Sequence, residues 1–296
     1  MEEELLILEM LKILIDDFNC NHQQDLESEN QVKIYTRDRE QDFIEKFVRK
    51  GLASKKSQLM YLCGHPGTGK TSTLHLVLSK FKNQISPNYE VDGSMMIKLY
   101  NAMTFKDVRR YCQRLYSDLT LDLTGEEVDE ERVFKSSKTK LMEEDIANMI
   151  AKTLRNRSDM IKIIVIDEID AFEAHERGFL ALTKAILESK SNTILIGIAN
   201  SVDLPFKKKH SAIALRDTQL LFEPYTEEQI VSIIEQKINL QYVNMSERMK
   251  QNARVKKMFF DIIEESAKVL IAKRVARMNG DLRVAFDIIK SCFVGM

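Results

Sequence analysis

Between residues 62 and 74 the chain reads LCGHPGTGKTSTL, an apolar run that passes through three glycines and a lysine into a helix-like stretch. Gly64-x-x-x-x-Gly69-Lys70-Thr71 has the spacing of a phosphate-binding loop, and a chance match in a chain of this size is roughly one in a hundred. A strand before the loop and a helix after it would aim backbone N–H groups and a helix dipole at one anion. The candidate cradle comprises Gly64, His65, Pro66, Gly67, Thr68, Gly69, Lys70, Thr71 and Ser72. Lys70, which reads as exposed, would reach the β- and γ-phosphates of ATP, and the Thr71 hydroxyl would hold Mg²⁺. Glycine at 67 and 69 keeps side chains out of the way where the backbone must approach a phosphate oxygen.

About 95 residues further on stands IIVIDEID. Four β-branched residues carry Asp167 to the carboxyl end of a strand, the edge at which ligands bind in open parallel sheets. Asp167 would serve the Mg²⁺ shell, and Glu168 would polarise an attacking water. The competing reading is a solvated acidic turn. A later strand, TILIGIAN, delivers Asn200 to the same edge, where an amide would orient water or the γ-phosphate, although asparagine also suits a turn. Near the end, NGDLRVAFDI places Asp281 as a helix cap and Arg283 in the first turn. The helix dipole disfavours a cation there, so Arg283 reads either as a ligand of a local anion or as an exposed arginine bridging Asp281.

These residues need a scaffold, and the pattern from Tyr35 onward supplies one. QLMYLC (58–63), MIKLY (96–100), IIVID (163–167), TILIGIA (193–199) and QLLFEP (219–224) are short apolar or β-rich runs. Helical patterns over 71–81, 104–119, 141–154 and 178–189 lie between most of them. Such alternation predicts an α/β fold with a five-stranded parallel sheet flanked by helices. After Tyr225 the strands stop. Thr226 and Gln229 have capping-box spacing before a helical run, and further helices are predicted from about Val255 to Met278 and over 282–292. The expected organisation is an acidic helix and linker (1–34), a nucleotide-binding base (35–225) and a small all-α lid (226–296).

Composition excludes rather than assigns. The net charge is −1, yet residues 1–31 hold nine acidic side chains against one basic, which leaves a mildly basic body of about +7. Cys20, Cys63, Cys112 and Cys292 form no C-x-x-C pair, and read as reduced thiols filling the core rather than a zinc site. The opening MEEELLILEMLKILIDDF is acidic where a signal peptide needs positive charge, so it reads as a helix docked on its own body or on a partner. No stretch approaches 18 uninterrupted apolar residues, so no membrane span is expected.

Taken in order and spacing, GHPGTGKT, VIDEID, LIGIAN, FEPYTEEQI and GDLRVAFDI resemble the initiator clade of AAA+ ATPases, which holds archaeal and eukaryotic origin-binding and helicase-loading proteins. Within the clade the chain looks most like the eukaryotic cell-division-cycle loader, with the origin recognition complex's largest subunit close behind. The resemblance covers about Tyr35 to Met296. It implies ATP held between base and lid, with Lys70, Thr71, Asp167, Glu168, Asn200 and Arg283 in the roles given above. It also implies a nuclear location, origin recognition complex or related AAA+ subunits as partners, DNA, and a replicative helicase as cargo.

Two departures from the family pattern bear on function. The clade usually carries an arginine before the F-x-PY segment that reaches a neighbouring subunit's ATP, whereas FKKKHSAIALRDTQLLFEPY is shorter by a few residues and offers as arginine finger only Arg216, displaced from the expected place, which argues against trans-activation of a neighbour. Relatives also continue into a DNA-gripping winged helix, and here the sequence stops at Met296, just after the last lid helix. With Lys207, Lys208, Lys209 and the lysines of 135–140 as the main basic clusters, the expectation is weak duplex binding by the chain alone, micromolar or worse. Three classes of function stay open: a replication-initiation ATPase, a non-hydrolysing ATP switch, and a DNA-linked AAA+ adaptor outside replication, such as a transposition regulator.

Overall fold

In a computed structural model, residues 6–7, 9–10, 12–13, 36–84, 95–129, 131–135, 142–201 and 218–294 are described. The five β-rich runs form strands β1 (Gln58–Cys63), β2 (Met95–Asn101), β3 (Ile161–Asp167), β4 (Thr193–Ala199) and β5 (Gln219–Leu221). All pair in parallel, in the order β2-β3-β4-β1-β5. The central strands β3, β4 and β1 are buried almost along their whole length, which is why they read as unbroken apolar runs instead of alternating ones. Register pairs Asn101 with Asp167 and Cys63 with Ala199, so the strands' carboxyl ends share one edge.

The helices are α1 (Asp38–Ser54), α2 (Lys70–Gln84), α3 (Val108–Thr124), α4 (Glu143–Arg155), α5 (Glu176–Glu188), α6 (Glu227–Asn244), α7 (Glu247–Gln251), α8 (Ala253–Asp261), α9 (Glu265–Arg277) and α10 (Leu282–Val294). Helix α1, not among the helical patterns read from the sequence, is amphipathic and buries Ile44 and Val48. Helix α3 starts later than its periodicity suggests. Asn101 first caps a short 3₁₀ turn, and then the Asp107 carboxylate accepts from the Arg110 N–H at 2.7 Å and sets the true start. The run expected as one helix from Val255 to Met278 is two. A straight helix of that length would be about 36 Å long. The turn after Asp261 instead lets Val255, Phe259 and Ile263, then Ala272 and Val275, all enter one core.

Two compact units result: one from Met1–Asp38, His65–Leu76 and Glu223–Met296, the other from Arg39–Gly64 and Val77–Phe222. In the sheet unit, Tyr61, Ile164, Ile166 and Leu195 of the strands pack with Tyr111 and Leu115 of α3, Ile146 and Ile150 of α4, and Phe179 and Leu182 of α5. In the helical unit, Ile230 and Ile234 of α6 pack with Phe259, Val275 and Phe286. Leu6 and Met10, helical and one turn apart, are buried in that same core with Ile7 and Ile13 packed against it, so this part of the opening stretch docks on its own chain.

A buried cation stands inside the sheet unit. The Lys162 ammonium donates to the carbonyls of Leu154 and Ser191 at 3.0 and 2.9 Å, and to that of Arg157. It thereby supplies a donor to the Leu154 carbonyl in the last turn of α4, where carbonyls lack helical partners and a cation offsets the dipole. Burial pushes its pKa down to about 8. Cys63 and Cys112 fill the core as expected, whereas Cys292 is exposed, because its position on α10 faces away from the buried Ile289 and Phe293. Cys20 lies outside the described residues. No helix among the described residues is long and apolar enough to cross a membrane.

Candidate nucleotide-binding site

Strand β1 ends at Cys63 and α2 begins at Lys70, so the loop between them spans six residues. The N–H groups of a helix's first turn have no acceptor within the helix, and here that turn is Lys70, Thr71 and Ser72. His65 and Pro66 are exposed at the loop's tip, while the Thr68 hydroxyl turns inward to donate to the His65 carbonyl at 2.8 Å. Gly67 and Gly69 have φ of 72° and 84°, in the left-handed region. A methyl at Gly67 would stand 1.7 Å from Asp281 Oδ1, and one at Gly69 would stand 2.5 Å from the Tyr225 hydroxyl. Both glycines therefore answer to the backbone conformation and to close neighbours from the helical region.

Lys70 corrects the sequence reading. It is only 6% exposed, and its ammonium donates to the His65 carbonyl at 2.9 Å. The loop curls back over the first residue of its helix, and the long side chain finds the nearest carbonyl.

Asp281 and Tyr225 stand against Gly67 and Gly69, and Arg37 packs on Tyr225 in turn. Asp281 caps α10: its Oδ1 accepts from the Arg283 N–H at 3.0 Å. The same carboxylate accepts from Arg283 Nε at 3.0 Å and Nη2 at 2.7 Å, a bidentate pair, and Leu282 N–H points at the Gly67 carbonyl at 3.4 Å. The side chain of Arg283 thus bridges Asp281 in the first turn of α10. Arg37 is buried, lies over the Tyr225 ring at 4.1 Å from its centroid, and donates through Nη2 to the Glu223 carbonyl at 2.6 Å. Sequence reasoning missed Arg37 because its partners are some 190 residues away.

A second cluster belongs to the sheet unit. Asp167 closes β3, and its Oδ1 accepts the Glu168 N–H at 2.8 Å. Glu168 has φ 56° and ψ 42°, a left-handed conformation that costs a non-glycine residue about 1–2 kcal/mol. The contacts around it oppose that cost: the Ala171 N–H donates to the Glu168 carbonyl at 3.0 Å, and the Asn200 amide Nδ2 donates to Glu168 Oε2. Asn200 is fixed in turn, since its N–H donates to Asp170 Oδ2 at 2.6 Å. The structure thus brings Asp167, Glu168 and Asn200 together and adds Asp170, which the sequence signalled only as the last acidic residue of IDEID. Asp167, Glu168 and Asn200 are all half-buried, accessible to a ligand yet held.

Arg216, Lys207, Lys208, Lys209 and residues 136–140 lie outside the described residues. Among the described residues no group of three or more histidine, cysteine or acidic side chains is arranged to hold a metal by itself.

The AAA domain family matches residues 53–204. Over 260 residues the chain is 27% identical to the human cell division control protein 6 homolog, covering 86% of this chain and 40% of the relative. It is 25% identical to human origin recognition complex subunit 1 over 257 residues, covering 84% of this chain and 25% of that protein. Against cell division control protein 18 of Schizosaccharomyces pombe it is 27% identical over 277 residues, covering 86% and 44%. The chain therefore spans less than half the length of these relatives. Among solved structures, the Aeropyrum pernix ORC1 protein in complex with DNA superposes with a TM-score of 0.62 at 22% identity, covering 88% of this chain and 59% of that one. The Drosophila ORC bound to DNA gives 0.60 at 20% identity, covering 96% and 60%. At these identities the structures speak for the fold. A family match across more than half of the chain places it in the AAA domain family, and its homology to the cell division control and origin recognition proteins is consistent with that family's initiator branch.

Proposed function

We propose that this chain is an ATP-binding and ATP-hydrolysing replication-initiation factor that acts within an assembly of AAA+ subunits on DNA. Its division of labour is a base domain over 35–225 and a helical lid over 226–296. The observation that carries the reading is the loop 64–69, whose left-handed Gly67 and Gly69 and following helix start form a backbone cradle with no side chain of its own at 67 or 69. That cradle fits a triphosphate. Lys70 would exchange the His65 carbonyl for phosphate oxygens, an exchange of a neutral acceptor for a charged one.

A Mg²⁺ ion bound with the nucleotide would neutralise phosphate charge, and Thr71 and Asp167 are the residues that would hold it. One or two protein oxygens suit that ion, which keeps most of its shell as water and phosphate. Glu168 is the residue to orient and deprotonate an attacking water, and Asn200 fixes the carboxylate that does so. Arg283 would leave Asp281 for the phosphates. Family partners and DNA are the contacts this reading expects, since one homologue is a subunit of an origin recognition complex and two fold neighbours of this chain are described as bound to or in complex with DNA; a helicase as cargo and a nuclear location belong to the same proposal.

Calorimetric titration of ATP with Mg²⁺ into wild type and Lys70→Ala tests the reading. Affinity should fall by about 100-fold or more, the loss of two charge-assisted hydrogen bonds. Equal affinity would remove the loop from nucleotide binding. Co-purification with recombinant origin recognition subunits would then separate a replication role from that of an adaptor elsewhere.

A further inference from the structure

Helix α9 turns Leu270, Lys273, Arg274 and Arg277 to solvent, with Met278 exposed just beyond its end. Positions 0, 3, 4, 7 and 8 lie on one face of a helix, and here they line a shallow concavity of about 380 Å³. The opposite face carries the buried Ala272 and Val275. Leu270 is 69% exposed and Met278 53%.

Helix stability explains part of this. Arg274 and Arg277 stand in the last turn of α9, where cations offset the helix dipole. It explains neither Lys273, which lies further back, nor the two exposed apolar side chains. Lys268 shows the ordinary fate of a cation on this helix: it is paired with Glu265 at 2.7 Å and Glu235 at 3.3 Å. Among the described residues, Lys273, Arg274 and Arg277 have no such partner.

The geometry points to a docking face for an acidic segment of a partner protein. Its carboxylates pair with Lys273, Arg274 and Arg277, and an apolar side chain fills the concavity between Leu270 and Met278. Three cations within little more than one turn call for a polyanion. A nucleic-acid backbone would satisfy the charges but leave Leu270 and Met278 against phosphate, whereas an amphipathic acidic helix meets both demands. The same face on a second copy would bring like charges together. This surface is independent of the nucleotide site, and the proposal stands or falls without it.

The test is fluorescence anisotropy of a labelled glutamate–leucine peptide of 13 residues, the length of α9, titrated with the whole chain. A glutamate-only peptide and a short DNA duplex run beside it. One variant removes the charges (Lys273→Gln, Arg274→Gln, Arg277→Gln), and another the apolar flanks (Leu270→Ser, Met278→Ser). Every changed side chain is exposed, and thermal melting checks that both variants stay folded. The expected result is saturable binding of the glutamate–leucine peptide that each variant weakens roughly tenfold. The glutamate-only peptide should bind more weakly and ignore the apolar variant. Peptide binding unchanged by both variants overturns the proposal. So does tighter duplex binding lost only with the charges, which would make the face a nucleic-acid contact, or self-association of the chain that the variants abolish.

Discussion

The Asn200 side-chain amide donates to the Glu168 carboxylate across 32 residues of sequence, joining the end of β4 to the residue after β3. An amide in that position holds one oxygen of the carboxylate proposed to polarise the attacking water. Glu168→Gln should therefore retain ATP while turnover falls by about 100-fold or more, the range for loss of a general base. Phosphate release measured beside nucleotide affinity separates the two. Wild-type turnover in the variant would take Glu168 out of the chemistry. No turnover in either protein, even with partner subunits present, would favour a nucleotide switch.

Asp170 touches neither proposed ligand, yet its Oδ2 accepts the Asn200 N–H at 2.6 Å. Asp170→Ala should lower stability by about 1–3 kcal/mol, because it leaves that N–H without its acceptor. Turnover should fall while ATP affinity holds, since the loop 64–69 is untouched. A melting curve and a KM-against-kcat comparison check this, and rescue of turnover by Asp170→Asn would confirm a positioning role.

Gly67→Ala combines two penalties, a left-handed φ worth about 1–2 kcal/mol and a collision with the Asp281 carboxylate. Removing the carboxylate as well should relieve the second and keep the first. Asp281→Ala alone should cost about 1 kcal/mol through the lost cap of α10. The double variant should then be more stable than the sum of the singles, by thermal or urea midpoint. Strict additivity would deny the contact between Gly67 and Asp281.

Lys162 supplies a pH dependence. Its folded pKa, about 8 through burial, lies below the ordinary 10.5, so between these values the unfolded chain binds more protons than the folded one. Stability contributed through this group therefore rises with pH across that window. Lys162→Met should lose about 2 kcal/mol at pH 7, from the Leu154 carbonyl that loses its ammonium donor and from the Arg157 and Ser191 carbonyls, which keep only the Met160 N–H and the Thr193 hydroxyl. The gap between wild type and variant should widen from pH 8 to pH 10 in urea midpoints. A gap independent of pH would show that the ammonium titrates as it does in water.

What the sequence determined by itself are features decided within a few residues. Strand and helix runs follow from side-chain periodicity, and the Thr226–Gln229 capping box and the Asp281 cap follow from hydrogen bonds that close within one turn. The loop spacing follows from where only glycine tolerates a left-handed φ. Other features belong to the tertiary structure alone. The inward turn of Lys70, the left-handed Glu168, the Asp170–Asn200 bond, the Arg37–Tyr225 stack and the break after Asp261 each depend on which distant groups packing brings within reach. A lysine ammonium takes the nearest acceptor and a strained carboxylate survives only where neighbours hold it, and periodicity carries no record of those neighbours.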